Sequence, residues 1–458
     1  MLRAGPFLLG VLAGVGSAHA AEGDGLLSVL VDDALEARPE LAQARADVRA
    51  AQERVPQAES WPDPMLQVGV QNDSFNKWQV GTMETSWVLF MASQTIPFPG
   101  KPGLRGEVAN VEVTTRRLAV ERARLTTVAD VRRAYVSLQL ARARLELLSR
   151  LSGLLTQAVE VAQARYEAGE GPQSDILRAR LEIARLEQQR VVLQADETLQ
   201  LAALNRLRGR PLDEKVATRQ LEQLSFPQLL DEDAAVRRSL ETSPEYLAAR
   251  AGVSGAQRVR ELNQRLSLPD LSVGAGVMLR GALEPMWTVT LGVPLPVFAG
   301  TKQSRGVAEA DAIIESTSRG TETVEQLLRL RTAQRLAYWR ALSGVWRSYQ
   351  ERVLADAEAT ATATLTQYRI GKVPFAAVLE ATSVTVSLVD ASYGVLVDGW
   401  RLAIAQDELS LAEVSVSGSA MGGAVPGAGS GMSPAGQSTS PSRMSSGTSS
   451  STSGTTGM

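Results

Sequence analysis

From about Leu104 to Ala168 the apolar side chains recur three or four residues apart. They are Val128, Val131, Tyr135, Leu138, Ala141, Leu145, Leu148, Leu151, Leu155, Val159, Ala162 and Tyr166. Eleven such steps cover 38 residues, close to the 3.5-residue period that keeps one seam of a helix against a neighbour. At about 1.5 Å per residue such a helix is ~100 Å long, too long for a compact globule. The stretch YEAGEGPQ follows, and helical periodicity resumes from about Ser174 to Arg208. Glycine supplies a left-handed cap and proline starts a new helix, so the chain is predicted to reverse at Gly169 and Pro172 as a helical hairpin.

Elsewhere the period changes to two. Leu271, Val273, Ala275, Val277 and Leu279 alternate with Ser272, Gly274, Gly276, Met278 and Arg280, and Trp287, Val289, Leu291 and Val293 alternate with Thr288, Thr290 and Gly292. Leu66, Val68 and Val70 follow the same rule, and SWVLFMASQTI follows it less cleanly. Alternation with small or polar residues on one side predicts strands with one face in an apolar medium and one in water. Lengths of about 8 to 11 residues suit a tilted membrane strand. Trp61, Trp78, Trp87, Trp287, Phe75, Phe90, Phe98 and Phe298 fall in or beside these segments, as an interfacial girdle requires. A soluble sheet packed on helices is the other reading of the same pattern.

After the first twenty residues no run of 18 apolar residues occurs, so no transmembrane helix is expected. Any membrane part must then be strands. Four strands cannot close a barrel, and open edges are not tolerated in lipid. Several chains would share one barrel, and three copies would give twelve strands.

The pattern is also doubled. PELAQARADVRAAQ (39–52) matches PEYLAARAGVSGAQ (244–257) at an offset of 205, which holds for PMLQVGV (64–70) against PDLSVGA (269–275). IPFPGK (96–101) pairs with VPLPVFAGTK (293–302), and ARYEAGEGPQSDILRA (164–179) reads like TQYRIGKVPFAAVLEA (366–381). The period of about 200 residues means two copies of one large unit, not a short solenoid repeat. The expected organisation is a signal peptide at 1–20 and a first repeat at 21–208, with strands at about 64–72 and 86–96 and a hairpin at about 104–208. A linker at 209–233 leads to a second repeat at 234–412, with strands at about 270–280 and 286–294 and a hairpin at about 303–412.

Composition narrows the chemistry. MLRAGPFLLGVLAGVGSAHA carries Arg3, an apolar core and small residues at Ala18 and Ala20, which reads as a secretory signal cut after Ala20. The chain has no cysteine, and its one histidine, His19, lies inside that signal. Disulfides, a lipid-modified N-terminus, histidine zinc sites and Ser-His-Asp triads are therefore excluded. There is no Gly-rich phosphate loop. A formal net charge of -3 gives no nucleic-acid footprint. An enzyme using only carboxylates or lysine stays open on composition, but no catalytic pair stands out, and neither enzyme activity nor a cofactor is expected.

The order signal, helix, strand pair and long helical hairpin, then the same again, with RYEAG and QYRIGKVPFAAVLEA at the hairpins and Pro97, Pro99, Pro294 and Pro296 after the second strands, resembles the TolC-type outer-membrane efflux family. The resemblance covers nearly all of residues 24–412. The ALEARPELAQARADVRAAQ opening and the short strands look most like its heavy-metal branch. It implies a mainly α chain with a small membrane β part. It implies a homotrimer whose twelve-stranded β-barrel in outer-membrane lipid continues into a periplasmic α-helical barrel. Substrate would come from an inner-membrane, proton-driven RND-type pump through a periplasmic adaptor.

The same resemblance makes Ala168, Gly169 and Glu170, and Ile370, Gly371 and Lys372, the hairpin tips that dock the adaptor. Glycine there also has the plain reading of a helix C-cap. It makes Glu380, with Asp175 and Arg178 in the first copy, the residues of a periplasmic gate. The family carries acids six and nine places after the second tip glycine, and here those places hold Ala377 and Glu380, so one acid is missing. Three Glu380 side chains on a three-fold axis would attract cations and raise one another's pKa; a solvated helix face is the plainer reading. Residues 413–458 are a Gly/Ser/Thr-rich tail expected to be disordered. Met421, Met432, Met444 and Met458 in it are candidate Cu(I) or Ag(I) ligands, against an inert tail. Drug efflux or type I protein secretion is the alternative cargo. A periplasmic coiled-coil adaptor and a soluble periplasmic hydrolase or binding protein are the rival classes.

Overall fold

A computed structural model describes residues 25–413. The expected signal and Met421, Met432, Met444 and Met458 lie outside the described residues. The chain opens with α1 (Gly25–Ala37) and α2 (Pro39–Glu59), then passes through strands β1 (Met65–Gln71) and β2 (Trp87–Ile96). It runs out along α3 (Lys101–Glu167) and back along α4 (Gln173–Leu207). An extended segment with one short 3-10 turn at Leu221–Gln223 leads to α5 (Glu232–Thr242) and α6 (Pro244–Arg265). Strands β3 (Leu271–Arg280) and β4 (Leu283–Gly292) precede α7 (Gln303–Ser348), α8 (Leu354–Arg369) and α9 (Phe375–Glu408).

The long helix is built on the seam read from the sequence. Val131, Tyr135, Leu138, Ala141, Leu148, Leu151, Leu155 and Ala162 are buried along α3. At 67 residues it spans ~100 Å, with α4, α2, α6 and α9 packed along it. Two expectations need correction. Tyr166, the last residue of the stripe, is exposed, because α3 ends one residue later and the stripe outruns its packing partner. And α9 does contain a stretch long and apolar enough by composition to cross a membrane, with a mean hydropathy of 1.3. Only 17% of that stretch is buried, and the burial of α9 is concentrated in its C-terminal half, where Val395, Leu396, Leu402 and Ile404 pack against α3 and α7.

The strands form one antiparallel sheet in the order β1-β2-β3-β4. Its register collects the apolar alternation onto one face. Val68 faces Phe90, Phe90 faces Val277, and Val277 faces Trp287, while Leu66, Ala92, Ala275 and Val289 form the adjacent row. The opposite face carries Gln67, Met91, Gly276 and Thr288 in one row and Ser93, Gly274 and Thr290 in another. The irregular β2 thus gains its sidedness from its partners. Leu66, Val68, Trp287 and Leu291 are exposed on the apolar face, and among the described residues no strand pairs with the outer edges of β1 and β4.

Arginines tie down the end of α9. Arg122 of α3 donates to the carbonyls of Glu408 (2.8 Å) and Leu409 (3.3 Å). From α7, Arg331 donates to Leu411 O at 3.1 Å, and Arg335 donates to Ser410 O and to Ala412 O. Every backbone carbonyl from Glu408 to Ala412 therefore accepts from a guanidinium. The side chains add ion pairs, Asp407 with Arg132 and Arg238 and Glu408 with Arg133.

Candidate functional site

The two helical hairpins turn in the same way. At the first tip Gly169 adopts φ 74°, its N–H donates to Tyr166 O at 3.0 Å, and Glu170 N–H reaches back to Arg165 O at 2.8 Å. At the second, Gly371 adopts φ 72°, its N–H donates to Tyr368 O at 2.9 Å, and Lys372 N–H donates to Gln367 O at 2.9 Å. These are glycine caps in which a left-handed residue satisfies the last carbonyls of the helix. Pro172 and Pro374 follow in extended conformation and open α4 and α9. Ala168, Glu170, Ile370 and Lys372 are exposed at these tips.

What joins the tips is a buried contact between the two halves of the chain. Tyr368, at the end of α8, is 1% exposed. Its hydroxyl donates to Asp175 Oδ2 at 3.2 Å. Arg165 lies over its ring at 4.8 Å and donates to its carbonyl at 2.6 Å, and its other terminal nitrogen donates to Glu170 O at 3.1 Å. On the other side Phe375 meets the ring at 5.3 Å, within an apolar cluster that includes Ala158, Ala162, Ile176, Ala179 and Val378. Burial, and then the facing Asp175 carboxylate, push the Tyr368 hydroxyl up to about 12.

The gate candidates take different places. Asp175, in the first turn of α4, is buried as the acceptor of Tyr368. Arg178 lies exposed one turn on, without an ion pair among the described residues. Glu380 is exposed on α9 and lines a shallow groove beside α8 with Asp356, Thr360 and Thr364. The grouping of Asp175 with Glu380 is thus split, one acid inside a contact and the other on a surface. Arg165 and Tyr368 were missed as functional residues. The signal available was unequal repetition: Tyr368 repeats Tyr166, but Gln367 stands where Arg165 does and Ala377 where Asp175 does. Both partners of Tyr368 belong to the first copy alone. Among the described residues no group of three or more acidic or histidine side chains is arranged to hold a metal ion.

Comparison with known proteins agrees with this architecture. Residues 30–210 match the family model described as outer membrane efflux protein. The nickel-cobalt-cadmium resistance protein NccC of Alcaligenes xylosoxydans xylosoxydans is 24% identical over 291 residues, 63% of this chain and 64% of that protein. The match thus spans just under two thirds of the relative's length. The crystal structures of CusC share the fold with a TM-score of 0.70 at 18% identity, over 84% of this chain and 92% of CusC. The outer membrane protein VceC of Vibrio cholerae matches with a TM-score of 0.67 at 19% identity, over 83% of this chain and 94% of VceC. With the strand-and-hairpin order already described, these matches show that the chain shares the fold of outer-membrane channel proteins and that residues 30–210 are similar to the outer membrane efflux protein family.

Proposed function

We propose that this chain is the outer-membrane channel of a tripartite efflux system. Three copies close their four-stranded sheets into one twelve-stranded barrel, and their long helices form a periplasmic tube. A periplasmic adaptor meets the hairpin tips and links the tube to an inner-membrane, proton-driven pump of the RND type. The observation that carries this reading is the sheet. It has one apolar exposed face and two open edges, and it is continuous with helices of ~100 Å. Such a sheet is unstable alone in lipid and is satisfied by closing with copies of itself.

Heavy-metal cations are the proposed cargo, supported by the nickel-cobalt-cadmium resistance named for the relative. Deleting the gene should sensitise the host to such cations, and re-expression should restore growth. In planar bilayers, Glu380→Ala should weaken block by divalent cations if Glu380 rings the entrance. Unchanged metal tolerance would sink the cargo, and unchanged block would sink the ring.

The Arg165, Tyr368 and Asp175 contact is proposed as the latch that holds the tip shut, since it ties the second hairpin to the first. A hydrogen bond to a charged group is worth about 1.5–3 kcal/mol, so losing it should raise open probability at least about tenfold. Single-channel recording of Tyr368→Phe and Asp175→Asn reads this directly. An open probability equal to that of the parent in both would remove the latch from the mechanism.

A further inference from the structure

The outgoing helices of the two hairpins have the same length and a different build. α3 is unbroken over 67 residues. Gln303–Arg369 covers the same span, but one π turn at Tyr349–Val353 separates α7 from α8. A π turn inserts one extra residue into an α-helix and is one of the few features that let a helix bend sharply.

The two sides of that turn are held differently. On the α7 side Trp346 stacks on Phe226, with ring centroids 6.1 Å apart and planes at 22°. Trp339 approaches the same ring at 6.3 Å and donates from Nε1 to Pro227 O at 2.8 Å. Gly399 of α9 makes room for this ring, since a Cβ there would lie 2.5 Å from Phe226 Cε2. Leu342, Val395 and Leu402 complete an apolar clamp around the end of α7.

On the α8 side the packing opens. A groove of about 610 Å³ runs between α3, α8 and α9, lined by Leu151, Leu155, Leu354, Leu365 and Val386 among others. Tyr368, at the far end of α8, is the one fully buried residue of that helix. α8 is therefore fixed at one end by a clamp beyond a bendable turn and at the other by the latch. Between them it borders free space.

We propose that α8 is a lever that pivots at Tyr349–Val353 against the clamped end of α7, with Tyr368 as the catch at its free end. The proposal rests on the latch reading above and adds where the motion is centred. The groove gives α8 room to move, and α3, which has no such turn, is the stationary wall. The asymmetry between the halves follows: only the second hairpin carries a pivot, and only the first carries both partners of the catch.

Deleting Gln350, which is exposed in the π turn, should restore a continuous α-helix while leaving the faces of α7 and α8 in phase. Deleting the exposed Glu351 instead provides a second variant should the first misfold. The chain has no cysteine, so nitroxides can be placed cleanly at Gln157→Cys on α3 and Thr366→Cys on α8, both exposed sites. Pulsed electron resonance on the full-length protein, diluted with unlabelled chain, then reads the distance between the helices. In Arg165→Ala/Tyr368→Phe the distribution should shift by about 5 Å, one helical turn, and broaden. Deleting Gln350 or Glu351 in that background should return it to the latched distribution. A shift that survives the deletions, or no shift in the latch-free protein, overturns the lever. A shift that the deletions suppress, with conductance unchanged throughout, supports the lever and counts against the gate.

Discussion

The hydroxyl of Tyr368 is held between an apolar cluster and the carboxylate of Asp175, and both raise its pKa, from 10.0 to about 12. The neutral phenol is the form that fits. Its contribution to tip stability is fully present below pH 10, the unfolded value, and is lost as pH rises through about 12. Burial and the Glu222 carboxylate push Tyr393 up as well, so phenolate absorbance should show late-titrating tyrosines, and Tyr368→Phe should remove one of those phases and leave that of Tyr393. A titration with no phase above the ordinary tyrosine range would contradict the buried contact. Tyr166, at the matching place in the first copy, is 47% exposed. Two residues alike in sequence thus differ because only one finds an arginine and an aspartate across the tip.

At the scale of elements, the strands show how pairing turns weak patterns into sidedness. β2 alone reads ambiguously, yet its register sets Val88, Phe90 and Ala92 between Val70, Val68 and Leu66 on one side and Leu279, Val277 and Ala275 on the other. Neighbouring positions should therefore respond oppositely to charge. Val68→Arg, on the apolar face, should destabilise the assembled channel by about 2–4 kcal/mol, whereas Gln67→Arg should have little effect. Unfolding of the two variants from detergent or liposomes separates them, and equal losses would mean that the apolar face does not meet lipid. The helices were more legible than the strands, since the buried seam of α3 repeats through many turns. The π turn was not legible, because one extra residue barely disturbs an apolar period.

For the whole molecule the short segment that follows α9 matters beyond its length. Residues 407–413 accept from Arg122, Arg132, Arg133, Arg238, Arg331 and Arg335, which come from α3, α5 and α7. Burial lowers the pKa of Arg335 to about 10, with Glu408 opposing the fall, so this guanidinium depends on the strap that covers it. A chain ended after Asp407 removes the Ser410 and Ala412 carbonyls and the Glu408 carboxylate that face the buried Arg335, and should lose about 3–5 kcal/mol of stability relative to one ended after Glu413. Thermal unfolding of the two truncated proteins measures the difference, and equal melting would show that the strap is dispensable.

By itself the sequence determined the long helices, the strand pairs, the glycine turns and the absence of cysteine chemistry. Each depends on local spacing or on residue type, which a chain carries wherever it goes. Tertiary structure decided which tyrosine is buried, that Asp175 lies in a contact while Glu380 lies on a surface, and where α7 gives way to α8. Those depend on groups far apart along the chain, as Tyr368 and Asp175 are, and on unequal neighbours that a near-repeated sequence conceals. Packing chose among side chains that spacing alone left equivalent.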